Sequence, residues 1–294
     1  MSDHTVARRY RRLRGAGLLR VVGLAQSAAL GHTDWFVRLR CLPDSALPIA
    51  KALARRDDIS WVMLTSAGTE ITCLAQTRTR PERDALLLGA LPRTRQVVEV
   101  DALCVLATFA GGASGWNGRA GALDERQVAA LTPDRPDQAA DRVMVDDVDL
   151  ALLALLRRDA RIPVVELAAA LRCSPSAASR RLDRLLECGA LAFDVEIAPE
   201  HLGFGVEALL WLDVAPGALD ETGRAVAGHA PVALAAATSG SSNLLLAVGC
   251  RDTADLYDYL ARRLGPLPAV TAIHSAPVIR TVKRAGTVLD PPPA

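Results

Sequence analysis

Ser174-Pro175-Ser176-Ala177-Ala178-Ser179-Arg180-Arg181-Leu182-Asp183-Arg184-Leu185-Leu186-Glu187-Cys188-Gly189 is the stretch from which the rest of the chain can be read. Ser174 suits an N-cap, where its hydroxyl accepts from a first-turn N–H, and Pro175 suits the first helical position because its missing N–H would be unpaired there anyway. Ala178, Leu182, Leu185 and Leu186 share one helical face, and Gly189 falls just past the end, where a left-handed cap favours glycine. The opposite face carries Ser176, Ser179, Arg180 and Arg184. Upstream, Val148, Leu152, Leu155 and Leu156 predict a helix over 147–158. Pro163 opens a second with Val164, Leu167, Ala168 and Leu171 inward, and Arg172-Cys173 is the turn. A short helix, a tight turn and a capped helix form the arrangement that presents a recognition helix to the major groove. Hydroxyls near its N-terminus can approach base edges, and Arg can grip guanine or phosphate. Residues 146–191 hold seven basic and seven acidic residues, so net charge does not decide between this reading and a plain three-helix packing unit.

Working outward, Ser2 to Leu19 aligns without gaps on Ser174 to Leu191 at an offset of 172, with seven of eighteen positions identical, among them Arg8/Arg180, Arg9/Arg181, Arg12/Arg184 and Gly17/Gly189. Further matches follow in order: Leu30-Gly31 with Leu202-Gly203, Ala46-Leu47 with Ala218-Leu219, Thr65-Ser66 with Thr238-Ser239, and Gly89-Ala90-Leu91-Pro92 with Gly265-Pro266-Leu267-Pro268. An ordered series of this kind reads as an internal duplication. The pattern predicts strands over Val206–Val214, Val232–Thr238, Asn243–Val248 and Val270–Val282, with helices over Ala218–His229 and Thr253–Leu264. The first half repeats the order over Trp35–Leu39, Ala46–Arg55, Ile59–Leu64, Glu70–Gln76, Pro81–Leu88 and Val97–Thr108. That order, βαββαβ, is the ferredoxin-like split βαβ.

With Asp149-Leu150, Leu167-Ala168 and the Cys173–Leu185 string in these places, the chain resembles the Lrp/AsnC transcription regulators in a tandem, internally duplicated form. The expected fold is α+β: a winged-type helix-turn-helix plus two ferredoxin-like effector and dimerisation domains. The expected layout is 1–20 a truncated helix-turn-helix holding only the recognition helix, 25–110 the first ferredoxin-like domain and 111–144 a linker with a short helix near Leu123–Leu131. Residues 145–192 are the DNA-binding domain, 200–285 the second ferredoxin-like domain and 286–294 a tail. The resemblance implies a sequence-specific regulator of double-stranded DNA that responds to an amino acid or other small molecule. DNA contacts are expected from Ser174, Ser176, Ser179, Arg180 and Arg184, with Arg8 and Arg12 as first-half counterparts. An effector site is expected at Ser239, Gly240, Ser241 and Asn243, where the family has a Gly-x-x-Asp turn; Asn243 replaces the Asp, and Ala67 and Glu70 stand in the first half. The two sheets, with Phe36, Leu209 and Trp211 exposed on their faces, are expected to pair as an internal pseudo-dimer within a further homo-oligomer.

Composition narrows the alternatives. No apolar run approaches a membrane span, and the first residues hold no secretory signal. Six cysteines without a C-x-x-C pair fit a reducing cytoplasm and argue against zinc or disulfides. Arg and Ala dominance, with only Lys51 and Lys283 as lysines, points to a GC-rich bacterial genome. Five histidines stand apart from other metal ligands, and no nucleophile elbow, P-loop or dinucleotide fingerprint is present, so no catalytic residue, metal or cofactor is expected. The other functional readings are a siroheme-decarboxylase-like enzyme on the same fold, and a degenerate interaction module that binds no DNA. The lone first-half helix, Thr5–Arg14, is too short to stand in water by itself. Either it docks elsewhere, the second half being one place for it, or about 30 further residues encoding its missing partner helices precede Met1.

Overall fold

The computed structural model describes residues 3–111, 124, 126, 127, 130 and 143–289. Most of the expected linker, the bulk of the helix near Leu123–Leu131, and residues 290–294 of the tail lie outside the described residues. Helix α1 (Asp3–Gly15) leads into strand β1 (Leu19–Ala25) and a single turn, α2 (Ser27–Leu30). Then come β2 (Thr33–Cys41), α3 (Ala46–Ala54), β3 (Ile59–Thr65), β4 (Glu70–Thr77), α4 (Arg80–Asp84, continued by a π turn at Ala85–Ala90) and β5 (Val97–Ala110). Three helices follow, α5 (Asp147–Arg158), α6 (Val164–Ala170) and α7 (Pro175–Glu187), and then strand β6 (Leu191–Ile197). The βαββαβ order recurs in β7 (Val206–Val214), α8 (Leu219–Ala227), β8 (Val232–Thr238), β9 (Leu244–Cys250), α9 (Thr253–Asp258, continued by a π turn at Tyr259–Leu264) and β10 (Val270–Arg284). A short β11 (Thr287–Val288) follows. The bounds of α1 and β1 map onto those of α7 and β6 at the offset of 172 read from the sequence, and Gly17 and Gly189 share a φ of +70°. Each of these glycines takes the left-handed turn that releases the chain from helix into strand.

These elements form two compact units, and each draws on both halves of the sequence: Met1–Leu30 with Asn117–Phe204, and Gly31–Trp116 with Gly205–Ala294. In the first unit α5, α6 and α7 enclose a core of Leu152, Leu153, Leu156, Leu167 and Leu185, to which the N-terminal half adds Ala29 and Leu30. The wing is a two-stranded antiparallel ribbon in which β1 pairs with β6 from Leu19↔Ile197 to Ala25↔Leu191, braced by an Arg20–Glu196 ion pair. Sequence reading gave 191–197 as an extended arm and assigned no strand to 19–25. The partner lies 172 residues away, and no turn signal joins the two. Gly23 lets the ribbon lie on α5, since a Cβ there would meet the Leu156 Cβ at 2.8 Å. Helix α1 docks on the second half, as one of the two expectations had it. Arg14 pairs with Asp159 just past α5, and the Arg161 guanidinium sits 5.6 Å from the centre of the Tyr10 ring.

In the second unit the two βαββαβ segments share one closed ring of strands, in the order β10-β3-β4-β2-β5-β8-β9-β7 and back to β10. Closure comes from the long last strand of each segment. β5 pairs with β2 and then crosses to β8, and β10 pairs with β7 and then crosses to β3. Each segment keeps its own core, around Val37, Leu39 and Ile71 in the first and Leu210, Leu212 and Leu246 in the second. A third core lies where the sheets face each other, of Phe36, Met63, Leu103, Leu209, Trp211, Leu245 and Ala276. Phe36, Leu209 and Trp211, which on isolated sheets would be exposed, are 4%, 1% and 2% exposed. Closing the ring also removes the unpaired edges that would otherwise template aggregation.

Candidate nucleic-acid interface

Helix α7 begins as its sequence dictates. The Ser174 hydroxyl accepts from the Ala177 N–H at 3.2 Å and meets the Ser176 hydroxyl at 3.1 Å, with Pro175 in the first turn. Ala178 and Leu185 are buried, so Ser176 and Arg180 face outward and are exposed. Ser179, half-buried, donates to Asp183 at 3.4 Å. Arg180 makes no ion pair or side-chain hydrogen bond among the described residues.

Arg184 is placed differently. It lies on the flank of α7 that faces the start of α5, where it pairs with Asp149 and donates to the Met144 carbonyl at 3.2 Å. Arg181 joins the same group, 2.8 Å from Asp149 and 2.9 Å from Asp146. The Asp149 side chain is only 2% exposed. Its carboxylate also closes a capping box with Asp146, each side chain accepting from the other's backbone N–H at 2.8 and 3.1 Å. One buried carboxylate thus caps the start of α5 and fixes α7 against it. The Asp149 backbone N–H, and then Arg181, hold the Asp146 carboxyl below the usual carboxylate range. These groups line an open cleft of about 670 Å³ with Met144, Val145, Ala177 and Arg180. Sequence reading missed Asp146, Asp149 and Arg181 as site residues; the Asp146-x-x-Asp149 spacing ahead of an apolar run was the available signal.

In the first half Arg8 and Arg12 are exposed on α1 and make no ion pair among the described residues. The turn expected to hold an effector is occupied by its own bracing. The Asn243 side chain accepts from the Val214 N–H at 2.8 Å and donates to the Val214 carbonyl at 2.7 Å. Ser239 accepts from the Cys104 N–H at 2.9 Å, and its own N–H returns to the Cys104 carbonyl. The Leu103 side chain fills the place where a Cβ of Gly240 would stand, 2.3 Å away, and Ser241 is exposed. The first-half counterpart behaves alike, since buried Glu70 accepts from Arg38, whose guanidinium stacks 4.0 Å from the centre of the Trp211 ring. Among the described residues no group of three or more His, Cys, Asp or Glu side chains is placed to hold a metal ion. Their helices include none long and apolar enough to cross a membrane.

The AsnC-type helix-turn-helix domain model matches residues 145–186, and the Lrp/AsnC ligand binding domain model matches residues 207–288. The HTH-type transcriptional regulator Ptr1 of Methanocaldococcus jannaschii is 30% identical over 141 residues, which are 48% of this chain and 95% of that regulator. The chain belongs to the Lrp/AsnC family. Another relative, HTH-type transcriptional regulator LrpA of Pyrococcus horikoshii, is 28% identical over 141 residues, 48% of this chain and all of its own length. Both relatives are archaeal, so they add nothing to the expectation of a bacterial source. Among solved structures, the siroheme decarboxylase NirDL is similar with a TM-score of 0.64 over 97% of this Lrp/AsnC chain and 83% of that one, at 15% identity. At that identity the likeness is one of fold, and it transfers no chemistry.

Proposed function

We propose that this Lrp/AsnC chain is a sequence-specific DNA-binding transcription regulator, with α7 as its recognition helix. The observation that carries the reading is the outward face of α7, where Ser176 and Arg180, without an ion pair among the described residues, stand on a helix locked to α5 through Asp149. Ser174, Ser176 and the α7 N-terminus approach the DNA backbone, Arg180 reaches a base edge, and Ser179 and Arg184 border the contact. One three-helix unit fills one half-site. The element bounds repeated at a constant offset support an origin by duplication, with the domain layout given above. The closed ring then does within one chain what two single-copy chains would do together. In the turn at 239–243 the Ser239 and Asn243 side chains are spent on β5 and β7, so any small-molecule response through those two groups is weak. The free thiols suit a cytoplasmic setting.

The test is enrichment of bound fragments from the source genome by the purified full chain, followed by gel shifts of the enriched fragments at several salt concentrations. A recurrent motif whose complex weakens steeply with salt supports the reading. Random recovery with no motif overturns it.

A further inference from the structure

Helix α1 occupies the place in the first half that α7 holds in the second, but its charges are in a different state. In α7, two of three arginines, Arg181 and Arg184, are neutralised by Asp146 and Asp149 at the start of α5. Their counterparts at the same offset, Arg9 and Arg12, make no ion pair or side-chain hydrogen bond among the described residues, and neither does Arg8. All three are exposed, as is Arg11, whose Nε is tied only to the Ala7 carbonyl. Among the described residues Arg14 is the α1 arginine spent on a carboxylate, Asp159, and it serves to anchor the helix. Tyr10 and Leu13 turn inward, half-buried, so the opposite face is a cationic surface. Arg8 and Arg12 at i, i+4 and Arg9 and Arg12 at i, i+3 repel one another, which costs helix stability in water and is relieved by a polyanion. The helix is held by an ion pair and an arginine–tyrosine contact, and His4 stands where α7 has Ser176.

We propose that α1 is a second, sequence-independent grip for the phosphate backbone of duplex DNA, through Arg8, Arg9 and Arg12. It rests on the DNA-binding reading above and adds to it a division of labour: α7 reads sequence, and α1 supplies salt-sensitive affinity. Binding of the full chain to a random-sequence 30-base-pair duplex is measured by fluorescence anisotropy between 50 and 200 mM KCl. The triple variant R8A/R9A/R12A keeps the helix, since alanine is the strongest helix former. Loss of three phosphate contacts is expected to lower the slope of log affinity against log salt by about 2.7, so that the deficit against wild type shrinks by about 40-fold across that range. R8K/R9K/R12K keeps the charges and is expected to keep the wild-type slope. An R8A/R9A/R12A slope equal to wild type overturns the proposal, and so does failure of the lysine variant to retain it. R180A on an enriched fragment tests α7 separately. If R180A weakens that complex while the α1 variant leaves the slope unchanged, the α1 grip fails and the recognition helix stands.

Discussion

Replacing Asp149 by Asn is expected to loosen α7 from α5 without filling or emptying the space between them. Asn is nearly isosteric and keeps an acceptor for the Asp146 N–H, so the cap survives; what is lost is the charge that holds Arg181 and Arg184. Removing one partner of a fully buried ion pair costs about 3–5 kcal/mol, because the other charge is stranded. Here the arginine side chains are 31% and 44% exposed and can turn to water, which lowers the cost. Two hydrogen bonds to a charged group, each at the low end of about 1.5–3 kcal/mol with that discount, give roughly 2–3 kcal/mol. For a unit of about a hundred residues this lowers the melting midpoint by roughly 10–15 °C. The assay is thermal denaturation by far-ultraviolet circular dichroism alongside tryptophan fluorescence. Trp35, Trp61 and Trp211 lie in the sheet unit, so the fluorescence transition is expected to stay in place while part of the helical signal melts early. A D149N melt superimposable on wild type would refute the role given to this carboxylate.

Other substitutions probe the ring and the cap. Gly223→Ala in α8 would put a methyl group 2.3–2.6 Å from ring atoms of Phe109 on the crossing strand β5, and is expected to cost about 1–3 kcal/mol by urea denaturation followed by tryptophan fluorescence. Asn243→Asp restores the residue type of the family turn but faces a carboxylate toward the Val214 carbonyl, 2.7 Å from the present donor, and is expected to destabilise the sheet unit in the same assay rather than create a tight effector site. The depressed Asp146 carboxyl ties part of the helix-turn-helix stability to pH. Its contribution is fully present above the ordinary value of 3.8 and is lost as pH falls through the lowered folded value, so acid titration of an Asp146→Asn variant should show a shallower loss of helical signal in that window.

The parts of the fold with local signals were legible in the sequence. Val206–Val214 and Val232–Thr238 were bounded to the residue, because short apolar runs, leucine-rich in the first and alanine-rich in the second, sit between Pro, Gly and Ser turns. Helix α7 was legible from Ser174-Pro175 at one end and Gly189 at the other. The exchange of β5 and β10 between sheets was not, since a long strand does not announce where it changes partner, and bulges at the crossings carry no composition signal. Strand β1 was missed for the same reason, its stability coming from a partner remote in sequence. At the DNA face, periodicity put Arg180 and Arg184 together on one side, yet only packing separates them. Arg184 lies toward the first turn of α5 and meets Asp149, whereas Arg180, a turn earlier, does not. That distinction depends on how two helices cross, which apolar spacing within either helix does not specify.

Equilibrium binding of wild type and R180A to an enriched fragment and to a shuffled duplex of equal length, at one fixed salt concentration, compares base reading with plain charge. Wild type is expected to prefer the enriched fragment by at least about a thousandfold. R180A is expected to lose about 1–3 kcal/mol on that fragment, with much less change on the shuffled one, so that its preference narrows. Equal preference in wild type and R180A would contradict the assignment of α7 as the helix that reads DNA.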